Sequence, residues 1–177
     1  MQHRDHVHLL RSAIPETGGT WADLGSGWGA FTLALADLIG PQGVIYSVDR
    51  DRHALQEQAR ALQAQFPPVA VTYLTADFTK PLDLPPLDGV VMANSLHFVE
   101  PLRKLPVVKL IKTLLRPNGR LIVVEYNTDT SNAWVPYPFT YPHWETLARA
   151  AGCAHTEQMA TAAAGQSPHG FYSAQSW

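Results

Sequence analysis

The segment Trp21-Ala22-Asp23-Leu24-Gly25-Ser26-Gly27-Trp28-Gly29-Ala30 holds the residues of this chain best suited to chemistry. Glycines at alternate positions let a backbone turn sharply from strand to helix and approach a ligand closely. The backbone N–H groups of the turn, with the N-terminus of the following helix, then face that ligand. Asp49 stands at the end of the next β-rich run, where a carboxylate can accept hydrogen bonds from ribose hydroxyls. A second candidate region is Asn94-Ser95-Leu96-His97, where an imidazole titrating near neutrality could act as a base. The alternative for His97 is a core or helix-start histidine satisfied by backbone. Glu125 and Tyr126, at the end of a later apolar run, are further candidates to line a pocket.

Taken alone, Gly25-x-Gly27-x-x-Ala30 also fits the dinucleotide fingerprint. Asp23 argues against that reading, because a carboxylate two residues before the first glycine would repel a bound diphosphate. The same carboxylate suits a ligand carrying an ammonium and a sulfonium. At 177 residues the chain is also short for the substrate domain that most nicotinamide dehydrogenases need.

The elements that must position these residues alternate between short β-like runs and helical stretches, the pattern of an α/β domain with a mostly parallel sheet. Asp5 to Ile14 reads as a short amphipathic helix, and residues 1–19 as a helix and linker before the first strand, Thr20 to Leu24. Helices are expected over Ala30 to Ile39, Asp51 to Gln65, Leu102 to Leu115 and Trp144 to Ala151, with Gly152 as the last terminator. Strands are expected over Val44 to Val48, Val69 to Leu74, Gly89 to Ala93 and Arg120 to Glu125. Two apolar segments split by Gly165-Gln166-Ser167-Pro168 predict a terminal β-hairpin. No repeat, linker or second domain is evident, so residues 1–177 are read as one domain.

Composition bounds the function. Hydrophobic residues make up 46% and charged residues 16%, which favours a compact globule. A net charge of −2 offers no global basic field for a phosphate backbone, which argues against nucleic acid as partner. Cys153 is the only cysteine, and it lacks a disulfide partner or metal-ligand spacing. The opening residues are too polar for a signal peptide and no apolar run reaches membrane-spanning length, so the expectation is a cytoplasmic protein. His3 and His6 share a helical face without a fuller ligand set, and a solvated face, not a metal site, is expected.

The glycine segment resembles motif I of class I S-adenosylmethionine-dependent methyltransferases, an acidic residue followed by alternating glycines. Four further stretches are similar to that family, in its order. They are Val44–Asp49, Thr75-Ala76-Asp77-Phe78, Leu87–Asn94, and Leu115–Glu125 with its Pro117-Asn118-Gly119 turn, where Asn118 replaces a glycine. The resemblance runs from about Thr20 to the C-terminus. It implies a Rossmann-like, doubly wound, mostly parallel seven-stranded sheet, order 3-2-1-4-5-7-6 with the last strand antiparallel, and helices on both faces. It also implies S-adenosylmethionine as cofactor. Asp23, Gly25, Ser26, Gly27 and Gly29 would hold the methionine end, and Asp49 the ribose diol, with Arg50 edging the adenine. Asp77 would accept from the adenine amino group while the Phe78 N–H reads a ring nitrogen, and Asn94 would border the cofactor. Trp28 either packs over the methionine tail or covers the helix start.

Methyl transfer from a sulfonium is an in-line displacement that needs collinear placement and shelter from water, and a base only for a protic nucleophile. Asn94-Ser95-Leu96-His97 departs from the Asn/Asp-Pro-Pro-Tyr/Phe motif of amino-group methylases. Ser95, His97, Glu125, Tyr126, Trp134 and Tyr137 are the candidate acceptor-side residues, with His97 the candidate catalytic base. Trp134, Tyr137, Phe139, Tyr141 and Trp144 lie among prolines. They form either a preformed aromatic lid over an apolar or flat acceptor or a glue for the last helix. With few residues before the first strand and no large insertion, the site should be open or closed by a second copy. The expected function is methylation of a small molecule; a non-catalytic binding module and a nicotinamide oxidoreductase are the competing readings.

Overall fold

The computed structural model describes residues 1–164 and 167–177. Its seven strands are β1 (Thr20–Leu24), β2 (Val44–Asp49), β3 (Ala70–Thr75), β4 (Leu87–Ala93), β5 (Leu115–Tyr126), β6 (Thr156–Ala164) and β7 (Ser167–Ser176). They form one sheet in the order β3-β2-β1-β4-β5-β7-β6. The first five are parallel, and β7 runs antiparallel between β5 and β6. The helices are α1 (His3–Leu10), α2 (Ala30–Ile39), α3 (Arg52–Gln65), α4 (Pro101–Lys112) and α5 (Tyr141–Ala150).

Helices cover both faces, and the central strands divide their side chains accordingly. Ala22, Leu24, Val90, Met92, Leu121 and Val123 face a core completed by Val107, Val108 and Ile111 of α4 and Trp144 of α5. The alternate residues Trp21, Val91, Ile122 and Val124 face Leu9 and Leu10 of α1 and Phe31, Leu35 and Ile39 of α2. This period of two, apolar on both faces, explains why β1, β4 and β5 read as continuous hydrophobic runs. α3 begins at Asp51, whose carboxylate accepts from the N–H groups of His53 at 2.9 Å and Ala54 at 3.1 Å.

Element boundaries differ from expectation at several places, of which three stand out. α1 gives way to a 3-10 turn over Arg11–Ala13 instead of running to Ile14. α5 starts at Tyr141, three residues before the expected Trp144, with Pro142 in its first turn, where a missing N–H leaves no helical bond unmade. α4 contains Pro106 and ends at Lys112; Leu115 already pairs with Leu87. The Pro117-Asn118-Gly119 turn then bulges out of the ladder before Gly89 meets Arg120, and Asn118 takes a left-handed φ of 64°. β6 and β7 form the expected antiparallel hairpin. Gly165 and Gln166 lie outside the described residues. Among the described residues no helix is long and apolar enough to cross a membrane.

Candidate active site

The sheet reverses its strand order at β1, with β2 on one side and β4 on the other. In open α/β sheets such a switch point leaves a crevice beyond the carboxyl ends of the strands. Here that crevice is a cleft of about 770 Å³. The glycine loop hangs from β2: the N–H groups of Gly25 and Ser26 both donate to the Val48 carbonyl, at 2.8 and 3.1 Å. Ser26 Oγ meets Ser47 Oγ at 2.7 Å, Ser47 donates to Gln58 Oε1, and Gln58 Nε2 donates to the Gly27 carbonyl. The loop is therefore tied to β2 and α3 at successive residues.

Two glycines answer different needs. Gly25, at φ 78°, lies against Ser95, whose Cβ would be only 2.4 Å from an added methyl. Gly27, at φ 51°, faces open space on the cleft. Its N–H donates to Asp49 Oδ2 at 2.8 Å, while Asp49 Oδ1 accepts from the Asp51 N–H at 2.8 Å. Each carboxylate oxygen is thus aimed by one backbone bond and keeps accepting capacity toward the cleft. Asp77 is held similarly, its Oδ1 receiving the Thr79 N–H and hydroxyl at 3.0 and 2.7 Å. Burial opposes its charge, but those two bonds, with Arg50 and Lys80 nearby, bring its pKa below the usual carboxylate range.

Asp23 sits under the loop, 1% exposed, and accepts from Thr32 Oγ1 at 2.6 Å. Burial pushes its pKa up to about 7, with Asp49 adding to the rise and Thr32 working against it. It does not line the main cleft. It borders a smaller depression of about 300 Å³ with His6, Ser26 and Phe31, and Gly25, Gly27, Trp28 and Asn94 line both spaces. Gly29 lines neither and packs on Gln58. Trp28 covers the helix side of the cleft edge-on to His53, 63% exposed.

Beyond β4, Asn94 adopts φ 53° and leaves Oδ1 buried without a partner, as is Ser95 Oγ. Both residues line the cleft. Buried polar atoms without partners are costly unless something supplies the missing bond.

Arg50, Phe78, Trp134 and Tyr137 also line the cleft, as the sequence predicted. His97, Glu125 and Tyr126 do not. The 3-10 turn Leu96–Phe98 points His97 inward, 2% exposed, with Nδ1 2.6 Å from Glu125 Oε2. Glu125 Oε1 takes the N–H groups of Leu96 and His97 at 3.0 and 3.2 Å. The pair braces the cleft wall from behind, which removes His97 from the place a general base would occupy.

Sequence reasoning missed Thr79, Phe98, Val99, Glu100 and Arg103, which complete the cleft. It also missed Lys104. This side chain, 6% exposed, donates to the carbonyls of Val99 at 2.6 Å and Tyr137 at 3.0 Å, and lies 5.6 and 5.2 Å from the Tyr137 and Phe139 rings. Burial lowers its pKa to about 8, against the pull of Glu125. The Tyr137 N–H closes the seam on the His97 carbonyl at 3.0 Å.

A switch-point cleft with a glycine loop and two oriented carboxylates defines a Rossmann-like site for a nucleoside-bearing ligand. The match to the family described as methyltransferase domain covers residues 22–121, and the chain belongs to that family. It is 26% identical over 128 residues to a 2-phytyl-1,4-naphtoquinone methyltransferase of Nostoc punctiforme, covering 71% of this chain and 55% of that protein. It is 32% identical over 123 residues to an uncharacterised methyltransferase of Mycobacterium bovis, covering 69% and 46%. The chain spans about half the length of these curated relatives. In fold it resembles the 1,6-didemethyltoxoflavin-N1-methyltransferase of Burkholderia thailandensis, solved with 1,6-didemethyltoxoflavin and S-adenosylhomocysteine. That likeness has a TM-score of 0.70 at 20% identity and covers 98% of this chain and 76% of that one.

Proposed function

We propose that this chain is an S-adenosylmethionine-dependent methyltransferase acting on a small-molecule acceptor. The observation that carries the reading is Asp49, with each oxygen already fixed by a backbone N–H at the switch point. A carboxylate so aimed accepts a pair of vicinal hydroxyls without reorganising. Asp77 and the Phe78 N–H would take the adenine edge, and Asp23, buried beside the loop, would offset a nearby ammonium. The open face of Gly27 and the unpartnered Asn94 Oδ1 and Ser95 Oγ fit a ligand at the centre of the cleft. S-adenosylmethionine supplies the electrophilic methyl when bound.

The residues of this chain contribute placement and shelter. The glycine loop and Asp49 would fix the donor end, and Phe98, Val99 and Tyr137 line the side left for the acceptor. No side chain need form a covalent bond for an in-line displacement. The Nostoc and Burkholderia proteins are both named for small-molecule methylation, which supports an acceptor of that size. Isothermal calorimetry with S-adenosylhomocysteine tests the reading: saturable binding in the micromolar range is expected, and no binding at hundreds of micromolar overturns it.

A further inference from the structure

The cleft has a second half that no cofactor contact explains. Six large apolar side chains stand well exposed among the described residues, and four of them, Trp28, Phe98, Trp134 and Tyr137, line this one cleft. Trp134 is 84% exposed and Phe98 56%. Exposed aromatic side chains gathered on one cleft mark a binding surface. The backbone that carries the patch is also anchored. Phe98 rests on the His97 ring at 4.4 Å, and His97 is locked by Glu125. Tyr137 is pinned from both sides of its own backbone, by His97 and Lys104. The Trp134 N–H is fixed by Asn132 Oδ1 at 2.8 Å. Aromatic platforms held this way bind flat ligands with little ordering cost.

Charge on the same wall narrows the ligand further. Arg103, in the first turn of α4, lines the same cleft as Phe98. Among the described residues no carboxylate lies within 4.0 Å of its guanidinium, Glu100 one turn earlier included. The other arginine of the cleft, Arg50, acts on Asp77 on the cofactor side. A guanidinium with free donors in a cleft lined by aromatic side chains is a receptor for an anion attached to a ring.

Building on the proposed activity, we infer that the methyl acceptor is a planar aromatic acid. Its ring lies on Phe98, Trp134 and Tyr137, and its anionic group pairs with Arg103. The aromatic faces supply affinity, and Arg103 sets which edge of the ring turns toward the methyl donor. A neutral lipid-like acceptor or a docked protein segment would use the aromatics without needing the cation.

Fluorescence titration of the protein saturated with S-adenosylhomocysteine tests this. The probes are 8-anilinonaphthalene-1-sulfonate and N-phenyl-1-naphthylamine, which share their rings and differ by the sulfonate. The sulfonate probe should bind the saturated protein more tightly than the neutral one. Arg103→Gln should weaken the sulfonate probe about tenfold, the size of one charged hydrogen-bonded contact, and leave the neutral probe within twofold. Trp134→Ala should weaken both probes. Neither variant should alter calorimetric binding of S-adenosylhomocysteine, which also reports that each is folded. Displacement of the sulfonate probe by S-adenosylhomocysteine, or equal binding to Arg103→Gln, overturns the inference. If S-adenosylhomocysteine does not bind, the proposed function fails, and the probes on the protein alone still decide the role of Arg103.

Discussion

The two halves of the cleft are built on opposite plans. The cofactor half is made of backbone and short carboxylates: the glycine loop, Asp49 and Asp77 are tied by bonds between residues close in sequence or on adjacent strands. The acceptor half is made of large side chains from two distant segments, 98–103 and 134–137, and depends on buried charges behind the wall. Glu125 holds Leu96 and His97, just before the first segment, and Lys104 joins Val99 to the second. Backbone recognition tolerates little change of ligand. A wall of side chains on a common brace can be re-lined residue by residue while the brace stays, so on the proposed reading donor and acceptor specificity would be separable.

Five variants test that separation, taken from the largest effect down. Glu125→Ala removes one buried carboxylate that holds three groups, and leaves the His97 ring and two amides without that partner. It should cost about 3–5 kcal/mol, and thermal denaturation should show a fall of roughly 10 °C. Little change would mean that the brace is ornamental to the acceptor wall.

Asp23→Asn addresses the cofactor half through pH. The folded pKa, about 7, is raised above the ordinary carboxylate value of 3.8. The proton-bound form therefore contributes stability in full below about pH 4, and that contribution is lost as the pH rises through about 7. The loss is on the order of 4 kcal/mol at most for such a raised group. Urea titrations of the wild type should show this decline between pH 4 and 7 on top of other groups, and Asp23→Asn should flatten it. Parallel profiles for the two proteins would show that Asp23 is not the group responsible.

Asp49→Ala removes two fixed acceptors and should weaken S-adenosylhomocysteine binding by about 1.5–3 kcal/mol, roughly ten- to a hundredfold by calorimetry. His97→Ala should change that affinity far less, since His97 lies behind the acceptor wall; equal losses would erase the division between the halves. Lys104→Met should leave cofactor affinity within about twofold while hydrogen exchange quickens over residues 134–139. A cofactor affinity that falls with it would mean the two halves move together.

The same contrast decides what the sequence revealed. The order of elements and the cofactor half were legible because a local pattern carries them: Asp23 and the spaced glycines sit in one stretch, and Asp49 and Asp77 end the next two strand regions. The acceptor half was only partly legible. Trp134 and Tyr137 stood out as aromatics among prolines, but Phe98 and Arg103 look like any helix entry until the fold sets them opposite. His97 was readable as a titratable group and not as a direction: in a 3-10 turn one residue decides between facing the core, as His97 does, and facing the cleft, as Phe98 does. Tyr141 joined α5 because Pro142 suits a first helical turn, a preference weaker than the loop-like look of its neighbours.

The placement of β7 has a consequence for how the molecule is made. β7 leaves the ribosome after β6 yet lies inside it, pairing Leu121 with Ser176 and Tyr126 with Phe171. Until it arrives, β5 presents an open strand edge with the apolar Ile122, Val123 and Val124 along it. Such an edge invites pairing with other nascent chains, and the contacts that cover it are far apart in sequence and slow to form. Expression at low temperature or with chaperones that shield strand edges should therefore raise the soluble yield of this chain, and a stop codon just before β7 should send it to inclusion bodies.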